Sequence, residues 1–119
     1  MTKGSPVYDL ENRLIEFAVA IIKLTESLPK TRAGKHVGGQ LLRSGTSPAS
    51  NYGEAQGAES RSDFIHKMRL SLKELRETRV WLKIIEKTKL VKQDFGLRSL
   101  LDENNQLISI FMASIKTAN

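Results

Sequence analysis

Few residues in the sequence have the types and spacing that catalysis or metal binding requires. His36 and His66 are the only histidines, and the chain has no cysteine. A di-metal helical bundle uses two Glu-x-x-His pairs and two further glutamates, whereas this chain offers only Asp63-x-x-His66. It also has no glycine loop followed by the lysine and hydroxyl of a phosphate site, and no nucleophile elbow. We therefore predict no catalytic residue, no metal site, no cofactor and no enzymatic activity.

The acidic pair Glu74 and Glu77 is better explained by structure than by chemistry. Both share a helical face with Leu70 and Trp81, beside a core face, so partial burial is expected and each acid needs a partner. A catalytic acid pair would need a third group, for which there is no sign. We predict an interhelical polar network of Arg43, Asn51, Glu54, Glu74, Glu77 and Trp81. Trp81 could instead stack on a base, but its apolar neighbours favour packing.

Five basic residues recur at helical spacing along the same segment, and they allow two interpretations. They are Arg69, Lys73, Arg76, Lys83 and Lys87. One interpretation is a solvated face, in which Lys73 pairs with Glu77 four residues on. The other is a stripe of cations that follows the phosphates of a nucleic acid.

Composition agrees with either interpretation and excludes a membrane span. A net charge of +6 and a pI near 9.8 favour attraction to polyanions such as RNA. The most apolar run, from Leu14 to Leu24, is interrupted by Glu16 and Lys23 and is shorter than the ~20 residues of a membrane helix. We expect a cytoplasmic protein with no membrane association. Its 119 residues predict one domain over 1–119, with 1–6 disordered.

Periodicity predicts four amphipathic helices. The first starts at the N-cap Asp9, ends at Pro29, and has an apolar stripe widened by Ile15, Ala18 and Ile22. The second starts between Thr31 and Lys35 and runs to about Gly57, and Pro48 should bend it near Ser44, whose carbonyl loses its usual donor. Its small residues lie on two faces, more than one bundle interior needs, which predicts self-assembly.

The third helix starts at Ser60 or Ser62 and ends near Lys87, and Asp94 caps the fourth. Its predicted core stripe is Leu97, Leu101, Asn104, Leu107, Ile108, Phe111 and Ile115. Short connections between amphipathic helices predict an all-α, antiparallel, up-down-up-down four-helix bundle.

Two segments together resemble a known family. The first segment, residues 41–55, contains Arg-Ser-Gly-Thr-Ser at positions 43–47, followed by Asn51-Tyr52 and Glu54-Ala55. The second segment, residues 63–82, contains Leu-Lys-Glu at positions 72–74, followed by Glu77-Thr78 and Trp81-Leu82. The sequence resembles the bacterial four-helix-bundle family linked to intervening sequences of 23S ribosomal RNA, often called S23 proteins. It departs from that family's motif at Pro48, Ala49, Ser50 and Gly53, where isoleucine, glycine, alanine and arginine are usual.

The resemblance implies a homo-oligomer, a pentameric ring with a basic surface. The family is similar to the accessory proteins of diversity-generating retroelements, which bind nucleic acid and a reverse transcriptase. Our leading hypothesis is an RNA- or ribosome-associated protein that docks RNA by charge. The alternatives are an accessory subunit whose ring binds a partner enzyme such as a reverse transcriptase, and, third, a small enzyme of unknown type.

Overall fold

The computed structural model describes residues 9–92 and 96–119. They form four helices, α1 (Leu10–Ser27), α2 (Arg32–Gln56), α3 (Arg61–Thr88) and α4 (Leu97–Ala118). Each helix packs extensively on the next along the chain, while α1 and α4 touch only slightly. The predicted all-α four-helix bundle is confirmed. The predicted cap Asp94 and the predicted disordered segment 1–6 lie outside the described residues.

The apolar stripe of α1 forms one side of the core. Its members, spaced by three and four residues, are all buried: Leu10, Leu14, Phe17, Ile21, Leu24 and Leu28. Asp9 precedes the first helical residue as predicted, but its side chain makes no capping hydrogen bond. The stripe is also narrower than predicted, since Ile15 and Ile22 are 46% and 43% exposed.

The exposed isoleucines lie away from the core face of α1. At roughly 100° per residue, Ile15 and Ile22 fall about 120–140° around the helix from Leu10 and Leu28, which mark the centre of the buried stripe. Helix α2 approaches the core face instead: a Cβ added at Gly45 would lie 2.7 Å from Ile21 Cγ2, and one at Gly38 would lie 3.3 Å from Leu28 Cδ1. Glycine therefore lets the two backbones approach at these positions.

The second small-residue face of α2 packs against α3. The buried hydroxyls of Ser44 and Thr78 lie 2.9 Å apart, and Ser71 Oγ donates to the carbonyl of Pro48 at 3.2 Å. Helix α2 continues through Pro48, with Thr31 as its N-cap accepting from Gly34 N at 3.1 Å. Both small faces are thus occupied within one chain. Packing within one chain therefore accounts for these faces without a second copy, and self-assembly stays a prediction.

Helix α3 starts after Ser60, whose hydroxyl accepts from Asp63 N at 3.1 Å. Helix α4 buries all seven residues of its predicted stripe against the rest of the core. Among these is Asn104, which is fully buried and donates from Nδ2 to the carbonyl of Leu75 at 3.2 Å. This bond ties α4 to one position along α3.

The weak contact between α1 and α4 is bridged by an ion pair. Arg13 Nη2 lies 2.7 Å from Glu103 Oε1, and Arg13 Nε donates to Glu103 Oε2 at 2.9 Å. Nothing in the sequence pattern of either helix singled out this pair. No helix within 9–92 and 96–119 is long and apolar enough to cross a bilayer.

Candidate nucleic-acid interface

The five predicted cations of α3 share one exposed face. Successive residues of a helix are rotated by roughly 100°, so Arg69, Lys73, Arg76, Lys83 and Lys87 fall in a single narrow sector, and all five are exposed. The stripe from 69 to 87 extends over roughly 27 Å at 1.5 Å per residue. Val80, 54% exposed, lies in the middle of it. We call these five residues the α3 stripe.

None of the five cations of the α3 stripe has a carboxylate ion-pair partner in the described part of the chain. The expected Lys73–Glu77 pair is absent there, because Glu77 is turned towards α2 and bonded to Arg43 instead. Lys73 still acts on that carboxylate at longer range by lowering its pKa. The stripe therefore presents charge that remains available to a ligand.

Arg43 lies between the two acids on the neighbouring face of α3. Arg43 Nη1 is 2.8 Å from Glu74 Oε1, and its Nη2 donates to Glu77 Oε2. The indole nitrogen of Trp81 donates to the same Glu77 oxygen at 3.0 Å. Glu74 and Glu77 are 16% and 32% exposed, whereas Arg43 is 48% exposed. The acids are half-buried as expected, but the guanidinium that joins them is in contact with water.

These contacts shift the pKa values of the groups that make them. The pKa of Glu77 is lowered, first by the hydrogen bond from Arg43 and then by that from Trp81. The pKa of Arg43 is raised, chiefly by its hydrogen bond to Glu77. Both shifts favour the charged forms, as expected of hydrogen bonds to an ionised group.

The other two residues predicted for the network lie apart from it. Glu54 Oε1 accepts from Lys67 Nζ at 2.6 Å and forms a separate ion pair between α2 and α3. This contact also raises the pKa of Lys67. Asn51 is half-buried, and no hydrogen bond of its side chain joins it to Arg43, Glu74 or Glu77.

Trp81 faces α2 and not the exposed stripe. Its ring meets the edge of His36 with centroids 5.8 Å apart and planes at 76°. This contact joins α3 to α2, while the bond to Glu77 lies within α3. Both contacts engage the indole inside the chain, which supports packing over base stacking. His36 and His66 lie on different helices, and no group of three or more His, Cys, Asp or Glu side chains in the described ranges is arranged to hold a metal ion.

A second surface, on the α1 and α2 side of the bundle, is apolar and exposed. Ile15, Val19 and Ile22 are 46%, 39% and 43% exposed and follow one face of α1 at spacings of four and three. Leu42 of the neighbouring helix α2 is 40% exposed. We call Ile15, Val19 and Ile22 the α1 apolar patch. Exposed apolar residues grouped in this way are typical of protein–protein contacts.

The fold and its surfaces define a class of protein: a basic four-helix bundle with a cation stripe on one helix and an apolar patch on another. The family model described as 23S rRNA-intervening sequence protein matches residues 8–112. The chain belongs to this family, and the resemblance inferred from its motifs is confirmed.

A solved structure supports both the family and the fold. It is described as a protein of unknown function from the S23 ribosomal protein family of Bacteroides thetaiotaomicron VPI-5482. The two chains are 33% identical and superpose with a TM-score of 0.82. The match covers 89% of this chain and 97% of the solved one. Among curated proteins, none matches the sequence.

Proposed function

We propose that this protein is a non-enzymatic, oligomeric, RNA-associated protein of the cytoplasm that docks structured RNA by charge through the α3 stripe. The family's link to 23S ribosomal RNA makes ribosomal RNA the first candidate. The observation that carries the proposal is the set of five exposed cations on one face, without carboxylate partners in the described part of the chain. Contacts of this type bind phosphates and read no sequence.

The docking is expected to be nearly independent of sequence and strongly dependent on salt. If all five cations neutralise a phosphate, the logarithm of the binding constant should fall with the logarithm of salt concentration with a slope of roughly −4 to −5. Titration of a fluorescently labelled fragment of structured ribosomal RNA at several salt concentrations measures this slope. Absence of binding at low salt would end the proposal and leave the family and fold unaffected.

The α1 apolar patch supports the oligomeric part of the proposal. Two exposed isoleucines and one valine at helical spacing are suited to burial against a second copy of the chain. The resemblance to S23 proteins implies a pentameric ring, and we propose that this patch contributes to its contacts.

The same patch also favours the second candidate, an accessory subunit that binds a partner enzyme such as a reverse transcriptase. In that case the partner covers apolar surface, and RNA affinity plays no part. The salt titration separates the two functions. An accessory subunit that does not act on RNA should have no measurable affinity for RNA at any salt concentration.

A further inference from the structure

The α3 stripe borders a groove between α3 and α4 that adds apolar surface and a sixth cation. Arg69, Lys73 and Arg76 line it from α3, and Lys116 lines it from α4. Leu72, Met112 and Ile115 supply its apolar wall, and its volume is about 560 Å³. Volumes of roughly 300–1,000 Å³ are usual for sites that hold a small molecule or one group of a larger one. Asn119 is its last lining residue, and none of the described residues that line the groove has an acidic side chain.

Resting on the proposed function, we infer that this groove seats an unpaired nucleotide, so that the preferred ligand is RNA with a loop, bulge or single-stranded end. Bases that are not paired can leave the stack and lie against apolar groups or a guanidinium plane. The groove offers both kinds of surface at one point, since Arg76 Nη2 lies 3.6 Å from Met112 Sδ.

The cations around the groove favour a nucleic acid over an acidic peptide. The positive charge extends beyond the groove, because Lys83 and Lys87 lie further along the exposed face of α3. A polyanion with regularly spaced charges can follow such a line while one of its bases enters the groove. A fully paired duplex has no free base to place there, and it would touch only the cations.

Met112 is the residue that tests this inference most specifically. It is 49% exposed, so its truncation removes groove surface with little effect on the core. Val80 is a matched control: it is apolar, 54% exposed and within the α3 stripe, but it does not line the groove.

The experiment compares an RNA stem–loop with a blunt RNA duplex that has the same number of phosphates. We expect the stem–loop to bind more tightly. Met112→Ala should weaken stem–loop binding by about three- to fivefold, the effect of losing roughly one buried methylene, and leave duplex binding unchanged. Val80→Ala should change neither. Lys116→Gln should weaken both and lower the salt slope by about one unit.

Three outcomes would overturn the inference. Equal binding of the stem–loop and the duplex, with no effect of Met112→Ala, would reject the groove and leave the proposed function standing. Polyglutamate binding as tightly as the stem–loop would show that the groove accepts an acidic polypeptide. Absence of binding to both RNAs at low salt would reject the proposed function itself, and the groove inference with it.

Discussion

Arg43 stabilises the structure by joining two acids, and its partial exposure limits how much free energy these contacts contribute. An isolated surface ion pair contributes roughly 0–1 kcal/mol, whereas breaking a buried pair costs roughly 3–5 kcal/mol. Arg43 lies between these cases, because it is 48% exposed while the acids it joins are half-buried. The sequence predicted this grouping from the helical spacing of Glu74 and Glu77 and their place beside the core. It did not predict that Glu54 would pair with Lys67, because side-chain reach across two helices is not visible in the spacing.

Replacement of Arg43 by alanine should lower the free energy of unfolding by about 1–2 kcal/mol, since both acids lose a charged partner. Urea denaturation measures the change. Arg98→Ala is the matched control, because Arg98 and Glu86 form a single pair that is 68% and 41% exposed. It should cost less than about 0.5 kcal/mol. Equal losses in the two variants would show that the Arg43 contacts are ordinary surface pairs.

The lowered pKa of Glu77 predicts a pH dependence with a definite sign. The contribution of its charge to stability is present above the ordinary pKa of 4.5 and is lost as the pH falls through the lower pKa of the folded state. Glu77→Gln should therefore be less stable than the wild type at neutral pH, and the difference should shrink as the pH is lowered below about 4.5. Urea denaturation across pH 3–7 is the measurement. A difference that stays constant over this range would contradict the role given to the Glu77 charge.

At the scale of the helices, the sequence predicted the elements better than it predicted what their faces contact. The four helices could be predicted because apolar residues at spacings of three and four bury one face of each. The contacts of α2 could not be predicted, because glycine and serine allow close packing both inside one chain and between two chains. Ile15 and Ile22 were assigned to the core because they are apolar, but they lie about 120–140° around α1 from the centre of its buried stripe and are exposed.

Gly45 tests the close approach of α1 and α2. A Cβ at this position would lie 2.7 Å from Ile21 Cγ2, so Gly45→Ala should destabilise the protein by about 1–3 kcal/mol. Gly53→Ala is the control on the same helix. A Cβ there meets nothing within 4 Å, and alanine should stabilise the helix by about 0.5–1 kcal/mol. Thermal melts of the two variants should shift in opposite directions, and a stabilising Gly45→Ala would refute the close contact.

At the scale of the whole molecule, the proposed function depends on two surfaces that lie on different helices. The α3 stripe could be predicted from the spacing of its cations alone. The groove beside it could not, because Lys116 and Met112 come from α4, whose sequence pattern indicated only a core stripe. The α1 apolar patch was also missed, since Ile15 and Ile22 were assigned to the interior.

The α1 apolar patch predicts a particle larger than one chain. Light scattering at micromolar concentration should give a multiple of the 13.3 kDa chain mass. Ile22→Glu should lower that mass, because it places a charge in a contact that excludes water, and the helical circular dichroism should be unchanged. Val80→Glu, a similarly exposed apolar position on α3, should leave the mass as it is. A wild-type mass of 13.3 kDa would rule out self-assembly under these conditions.

Docking of RNA through the α3 stripe is tested most directly by the salt slope of a charge-neutralised variant. The double replacement Lys73→Gln and Arg76→Gln should weaken binding to structured RNA and flatten the slope by about one to two units. Folding should be nearly unaffected, because exposed charges contribute little stability. The double replacement Lys23→Gln and Lys35→Gln changes the net charge equally at exposed positions on α1 and α2. A flatter slope in the α3 variant alone is the predicted result, and equal slopes in both variants would contradict docking through the α3 stripe.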